Sequence, residues 1–310
     1  QNNDGNSSAP APGASERVDA IVKSLPRIRE IAAGMQEIIL ANLVMIGEVP
    51  APTGGEGRRV ETILQRLSAC GLQNCSTDEK GNGYGILFGE QSTRNILISA
   101  HADTFVSDVV DQTVEIGQDR VVGPFVGDNC LALAAMVSLP TLFEKLQVRP
   151  KSNLVFMAAA RSLGRGNLEG LRYFLANSAL PIHAGLCLEG VQLGRLNYSC
   201  LGMFRGEIEC RLPEDYKWAQ FGSTGAIIPM NDVISRINKI PLPRRPLTSI
   251  VMGSIEGGIT YHNIARQVTL RFEVRCEESE LLKQIRQQIE NITADVAAQS
   301  GVKVKLDIFA

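Results

Sequence analysis

Short, continuously apolar runs separated by helical stretches constrain this chain more than any other feature. Asn95–Ala100, Leu154–Ala159 and Ala184–Leu188 have strand length and no polar face, the pattern of strands buried in a covered sheet. Between and before them the spacing predicts helices. The first lies over 16–48 with a break at Pro26, the next over 56–67 with Gly71 as its C-terminal stop. Two more follow over 130–146, where Pro140 should bend or break the helix, and over 167–177. Val18, Ile21, Val22 and Leu25 form one apolar face of the first helix. With a further strand over 84–88, this alternation predicts an α/β fold with a mainly parallel, covered sheet.

The pattern changes near Gly194. An extended stretch over 196–211 is followed by a helix over 226–240 and strands over 249–255 and 268–274. A long amphipathic helix over 278–298 and a last strand over 302–308 close the sequence. The order β-α-β-β-α-β is that of a ferredoxin-like motif. The sequence therefore predicts a flexible leader over 1–15, an α/β domain over 16–194 and a smaller α+β domain over 195–310.

Net charge is -2 in 310 residues, which gives no electrostatic case for nucleic acid or an anionic membrane surface. No uninterrupted apolar run approaches the roughly 20 residues needed to span a bilayer. The first thirteen residues are polar and rich in Pro and Gly, and no Met precedes them; the leader of a mature exported protein, slightly favoured over a cytoplasmic one, and a shortened chain both fit. Seven cysteines form no CxxC pattern, against a disulfide framework or a thiolate zinc site. Cys70 and Cys75 are near enough in sequence to pair, whereas Cys130, Cys187 and Cys276 sit in apolar contexts and are expected in the core.

The chemistry concentrates where the strands end. His101, in Ala100-His101-Ala102-Asp103-Thr104, closes the first apolar run, Asp128 stands just before an apolar helix, and Glu189 follows the third run. One imidazole and two carboxylates with a position left open make the donor set of a catalytic zinc, placed where α/β folds gather their ligands. Each has a plainer reading: a loop histidine, a helix N-cap at Asp128, a polar turn residue at Glu189. Three such coincidences in this order are less expected than one site.

These segments resemble the zinc-dependent exopeptidase and amidohydrolase family that includes aminoacylase, glutamate carboxypeptidase and peptidase T. His101-Ala102-Asp103-Thr104, Val126 to Ala134, Leu188-Glu189-Gly190, Gly253 to Gly258, Asn263-Ile264-Ala265 and Val274-Arg275 carry the likeness, over about residue 30 to the end. The resemblance implies a di-zinc-exopeptidase-like α/β domain and assigns His101, Asp128 and Glu189 as ligands of one zinc. Asp103 would orient His101, a physically sensible role because a carboxylate on the other ring nitrogen fixes the tautomer. Gly257, Gly258, Asn263 and Arg275 would contact substrate, and the implied substrates are peptides or N-acyl amino acids.

The same resemblance exposes losses. Family members carry a Glu-Glu pair after the next strand, one acting as general base and the other holding a second zinc. Here the pair falls on Arg161-Ser162 or Ser162-Leu163, and Glu169 lies too far along to replace it. No general base is found, and an inward Arg161 would disfavour metal occupancy. The family's substrate-contacting His falls at Tyr216. Its last segment, which brings a further His ligand, has no counterpart before Ala310, and the absence of that segment would leave apolar sheet surface exposed. The expectation is one zinc at most on an impaired hydrolase that cleaves terminal residues or N-acyl groups. The alternative is a non-catalytic peptide- or amino-acid-binding protein on the same scaffold. Homodimerisation through the small domain is implied, with Tyr216 and Trp218 as anchors.

Overall fold

The computed structural model describes residues 13–91, 93–190, 192, 194–214 and 225–309. Most of the expected leader, and both Tyr216 and Trp218, lie outside the described residues. The chain divides into two compact units, Gln1–Gly194 and Arg195–Ala310.

The first unit contains α1 (Ala14–Ala33), α2 (Gln36–Gly47), α3 (Gly57–Ala69), β1 (Gln73–Thr77), β2 (Gly83–Leu87) and β3 (Asn95–His101). A small hairpin of β4 (Glu115–Ile116) and β5 (Val121–Val122) follows, then α4 (Leu131–Leu146), β6 (Asn153–Ala159), α5 (Glu169–Asn177) and β7 (Ile182–Cys187). The main sheet has the order β1-β2-β6-β3-β7. Every residue of β6 is buried, and its alternation divides the core in two. Leu154, Phe156 and Ala158 face α2, α3 and α4, while Val155, Met157 and Ala159 face Phe174 of α5. Phe156 is fully enclosed, so Phe156→Ala should cost about 3–5 kcal/mol in a urea melt; a cost below about 1 kcal/mol would contradict this packing.

Several expectations need correction. The sheet is mixed rather than mainly parallel: β3 runs parallel to β6 and β7, but β2 runs antiparallel to β6 and β1. The β1–β2 pair is set by a tight turn, where the Asp78 carboxylate accepts the Lys80 and Asn82 N–H groups. A connection that short permits only a hairpin. Nor is the sheet covered throughout. β7 pairs with β3 alone among the described strands, and all its residues beyond Ile182 are exposed. Cys187 is therefore exposed, whereas Cys130 and Cys276 are buried as expected; Cys70 and Cys75 are free thiols.

Neither proline ends its helix. α1 runs through Pro26 and stops at Gly34, where buried Met35 enters the core, and the α1 and α2 axes differ by 60°. α4 runs through Pro140, with Ala132, Leu133, Met136 and Val137 buried on its length; packing of that face outweighs the one lost backbone bond. Together with the kinked segment Val126–Cys130 before it, α4 covers 21 residues, Val126–Leu146, longer than the sequence reading allowed. It nevertheless forms the central helix of this unit's core. The face formed by Val18, Ile21, Val22 and Leu25 is exposed.

The second unit contains β8 (Gly202–Arg211), α6 (Ile227–Ile237), β9 (Thr248–Gly257), β10 (Gln267–Cys276), α7 (Ser279–Ser300) and β11 (Lys303–Phe309). Its strands form an antiparallel sheet of order β11-β8-β10-β9. Phe204, Ile208, Leu270 and Val274 pack with α6 and α7 in one core. The opposite face carries ion pairs, among them Arg205–Glu273 at 2.6 Å and Arg271–Glu256 at 2.6 Å. This is the two-period pattern of a half-exposed sheet.

Candidate metal centre

His101 ends β3 beside Ala159 of β6, so its ring emerges at the carboxyl edge of the parallel strands. The chain immediately after it is held from below by Arg59. That guanidinium is fully buried and donates to the carbonyls of Val49 and Ala102, which satisfies the charge-bearing group and fixes the turn. Asp103, also fully buried, accepts three hydrogen bonds on Oδ2: from the Thr53 hydroxyl at 2.9 Å, the Ser162 N–H at 2.9 Å and the Leu163 N–H at 2.7 Å. Burial pushes its carboxyl up, but the contacts from His101, Leu163 and Thr53 outweigh this and hold its pKa below the usual range.

The imidazole is oriented from both nitrogens. Nδ1 lies 3.0 Å from the Asp103 main-chain carbonyl and 3.5 Å from Asp103 Oδ1. Nε2 lies 3.0 Å from Asp128 Oδ1 and 3.7 Å from Glu189 Oε2. Burial works against the imidazolium, yet Asp103, Glu189 and Asp128 together hold the His101 pKa above its ordinary value. Burial raises the Glu189 carboxyl; His101 pulls it down and Asp128 pushes it up, with a net rise.

Two residues to which the sequence assigns no role of their own bring Asp128 and Glu189 together. Asn129 is buried; its amide donates to the Leu188 carbonyl and accepts the Gly190 N–H, each at 3.0 Å. It thereby staples the loop bearing Asp128 to the loop bearing Glu189. At Gly190 an added Cβ would lie 2.1 Å from the Gly127 carbonyl oxygen, so the loops approach this closely only without a side chain. Both residues adjoin predicted ligands in sequence, but nothing local reveals partners some sixty positions away. Asn129→Ala should lower zinc affinity about tenfold, since metal sites depend on the groups that orient their ligands; calorimetric titration reads this directly.

The residues standing at the Glu-Glu positions have other partners. Arg161, with φ of 52°, gives its N–H to Glu56 at 2.8 Å and its guanidinium to Glu169 at 3.2 Å. Lys80 binds the other Glu169 oxygen at 2.5 Å. Arg161 is thus held on Glu169 and not on the His101 cluster, and Glu169, drawn below its usual pKa by Lys80 and Arg161, is engaged elsewhere. Ser162 is buried, with no hydrogen-bond partner for its hydroxyl.

His101, Asp128 and Glu189 each offer one atom, all within 4.8 Å of one another. Tetrahedral zinc with bonds near 2.0–2.1 Å sets its ligand atoms about 3.3 Å apart, and the observed 3.0 and 3.7 Å from Nε2 bracket that value. The Asp103 Oδ1 atom, buried without a hydrogen bond, faces the nitrogen that carries the proton once Nε2 is a ligand. The residues present therefore fit one divalent ion.

In the second unit, Gly257, Gly258 and Asn263 line one cavity of about 810 Å³ together with Glu256, His262 and Arg266. Arg275 is not brought to it. It lies toward the other end of β10, on the exposed face, paired with Glu273.

No family model and no curated protein sequence matches this chain. Solved structures do. The chain superposes on the dipeptidase Dug1p of Saccharomyces cerevisiae with a TM-score of 0.71 at 14% identity, covering 92% of this chain and 79% of that one. Human carnosine dipeptidase 1 gives 0.66 at 12% identity, with 91% and 78% covered. The YXEP protein of Bacillus subtilis, described as a dinuclear metal-binding peptidase of the M20 family, gives 0.55 at 14%, with 89% and 74% covered. The chain has the fold of these peptidases.

Proposed function

We propose that this protein binds one divalent cation, zinc by the character of its donors, on His101, Asp128 and Glu189, and that the centre holds a peptide or N-acyl amino acid with little power to hydrolyse it. The convergence of those three donor atoms carries the proposal. Bound zinc would polarise a ligand carbonyl as a Lewis acid. The chain's own residues do the rest: Asp103 sets the His101 ring, and Asn129 with Gly190 sets the distance between the two carboxylates. Amide hydrolysis also needs a base within hydrogen-bond reach of the attacking water. Arg161 and Ser162 cannot serve at neutral pH, and Glu169 is tied to Lys80 and Arg161.

The second unit we read as a ferredoxin-like module whose cavity at Gly257, Gly258 and Asn263 contacts the same class of ligand. A panel of dipeptides and N-acyl amino acids tests both halves of the proposal. Zinc-dependent ligand binding with turnover far below about 1 s⁻¹, the low end for ordinary enzymes, is the expected result. Turnover at or above that rate, abolished by His101→Ala, would show that a base is present after all.

A further inference from the structure

Two phenylalanine rings stand uncovered beside the proposed centre. Phe105 is 61% exposed and Phe125 is 40% exposed, although rings of this size ordinarily supply core packing. They meet edge to face with centroids 6.1 Å apart. Phe105 lies two residues beyond Asp103, and its ring extends toward Gly164, just past the Leu163 N–H that Asp103 holds. Phe125 lies three residues before Asp128 and accepts the Asp128 N–H on its own carbonyl at 3.0 Å. The same two loops are joined by the 3.0 Å contact between His101 and Asp128. The ring pair is therefore a second, apolar bridge alongside the polar one.

Phe125 also has a φ of 51°, a left-handed conformation that costs a residue with a Cβ roughly 1 kcal/mol and that glycine adopts freely. A bulky aromatic kept in such a position, with much of its surface in water, gains little for folding. Strain of this kind concentrates at ligand sites.

We propose that Phe105 and Phe125 form an aromatic shelf that selects metal-bound, peptide-like ligands carrying an apolar side chain, aromatic ones above all. The proposal rests on the single-metal reading of His101, Asp128 and Glu189. A ligand ring laid on the shelf leaves water and gains an aromatic contact, which together favour it about tenfold over a methyl group.

Two hydroxamates with the same chelating head test this in zinc-loaded protein. Calorimetry should find benzohydroxamate about tenfold tighter than acetohydroxamate, a preference reduced to near unity in Phe105→Ala and in Phe125→Gly. The glycine variant removes the ring while relieving the backbone, so a folding defect is not expected to mask the result. Equal affinity of the two probes, or a preference that survives both substitutions, would overturn the shelf. If the protein takes up no zinc, the metal reading fails separately. Metal-free protein is then titrated with N-acetylphenylalanine and N-acetylalanine: a preference for the former that Phe105→Ala abolishes upholds the shelf, and no preference overturns it.

Discussion

Replacing Asp103 with alanine should destabilise the first unit by about 3–5 kcal/mol and weaken zinc binding about 10–100-fold. The carboxylate is fully buried, and its removal strands the Ser162 and Leu163 N–H groups and takes an acceptor from the hydroxyl of exposed Thr53. Buried donors left unsatisfied cost about 1–3 kcal/mol each before relaxation. The effect has a defined pH dependence. The folded-state pKa of Asp103 is depressed, so its contribution is complete above the unfolded value near 3.9 and is lost as pH falls through the lower folded value. Asp103→Asn should flatten the stability profile in that acid window. A profile identical to wild type below pH 4, measured by urea melts, would contradict the buried, ionised carboxylate.

Gly190→Ala should abolish metal binding more thoroughly than its size suggests. The new methyl would sit 2.1 Å from the Gly127 carbonyl oxygen, a main-chain atom that no rotamer change can move. The loops must part by about an ångström, and misplacement on that scale is enough to ruin a site held to sub-ångström tolerance. Opening that contact also strains both hydrogen bonds of Asn129. Zinc affinity should fall at least about 100-fold, with a loss of stability read from the same urea melts. Zinc binding at wild-type strength in this variant would mean that Glu189 is not a ligand.

Much of this was legible in the residues. The continuous apolar runs of β3 and β6 announced strands buried on both faces, and the burial of Leu154 to Ala159 in β6 follows directly from its composition. The order of His101, Asp128 and Glu189 along the chain pointed to one cluster, and their donor atoms do converge. What escaped had no local signature. β1, Gln-Asn-Cys-Ser-Thr, has no alternation because it is an exposed edge. Nothing in the sequence marks Arg59, in the helix over 56–67, as a buried position; its main-chain acceptors at Val49 and Ala102 draw it fully inside. Pro140 failed to stop its helix because tertiary packing of α4 outweighs one missing backbone bond. The direction of Arg161 depends on Glu169 and, through Glu56, on a residue 105 positions away.

The proposed centre is tested most directly by equilibrium dialysis of the full chain against zinc, with His101→Ala alongside. One zinc per wild-type chain and none held by the variant is the expected result. A wild-type chain that takes up no zinc, or a His101→Ala variant that still holds one, would contradict a metal centre built on His101, Asp128 and Glu189.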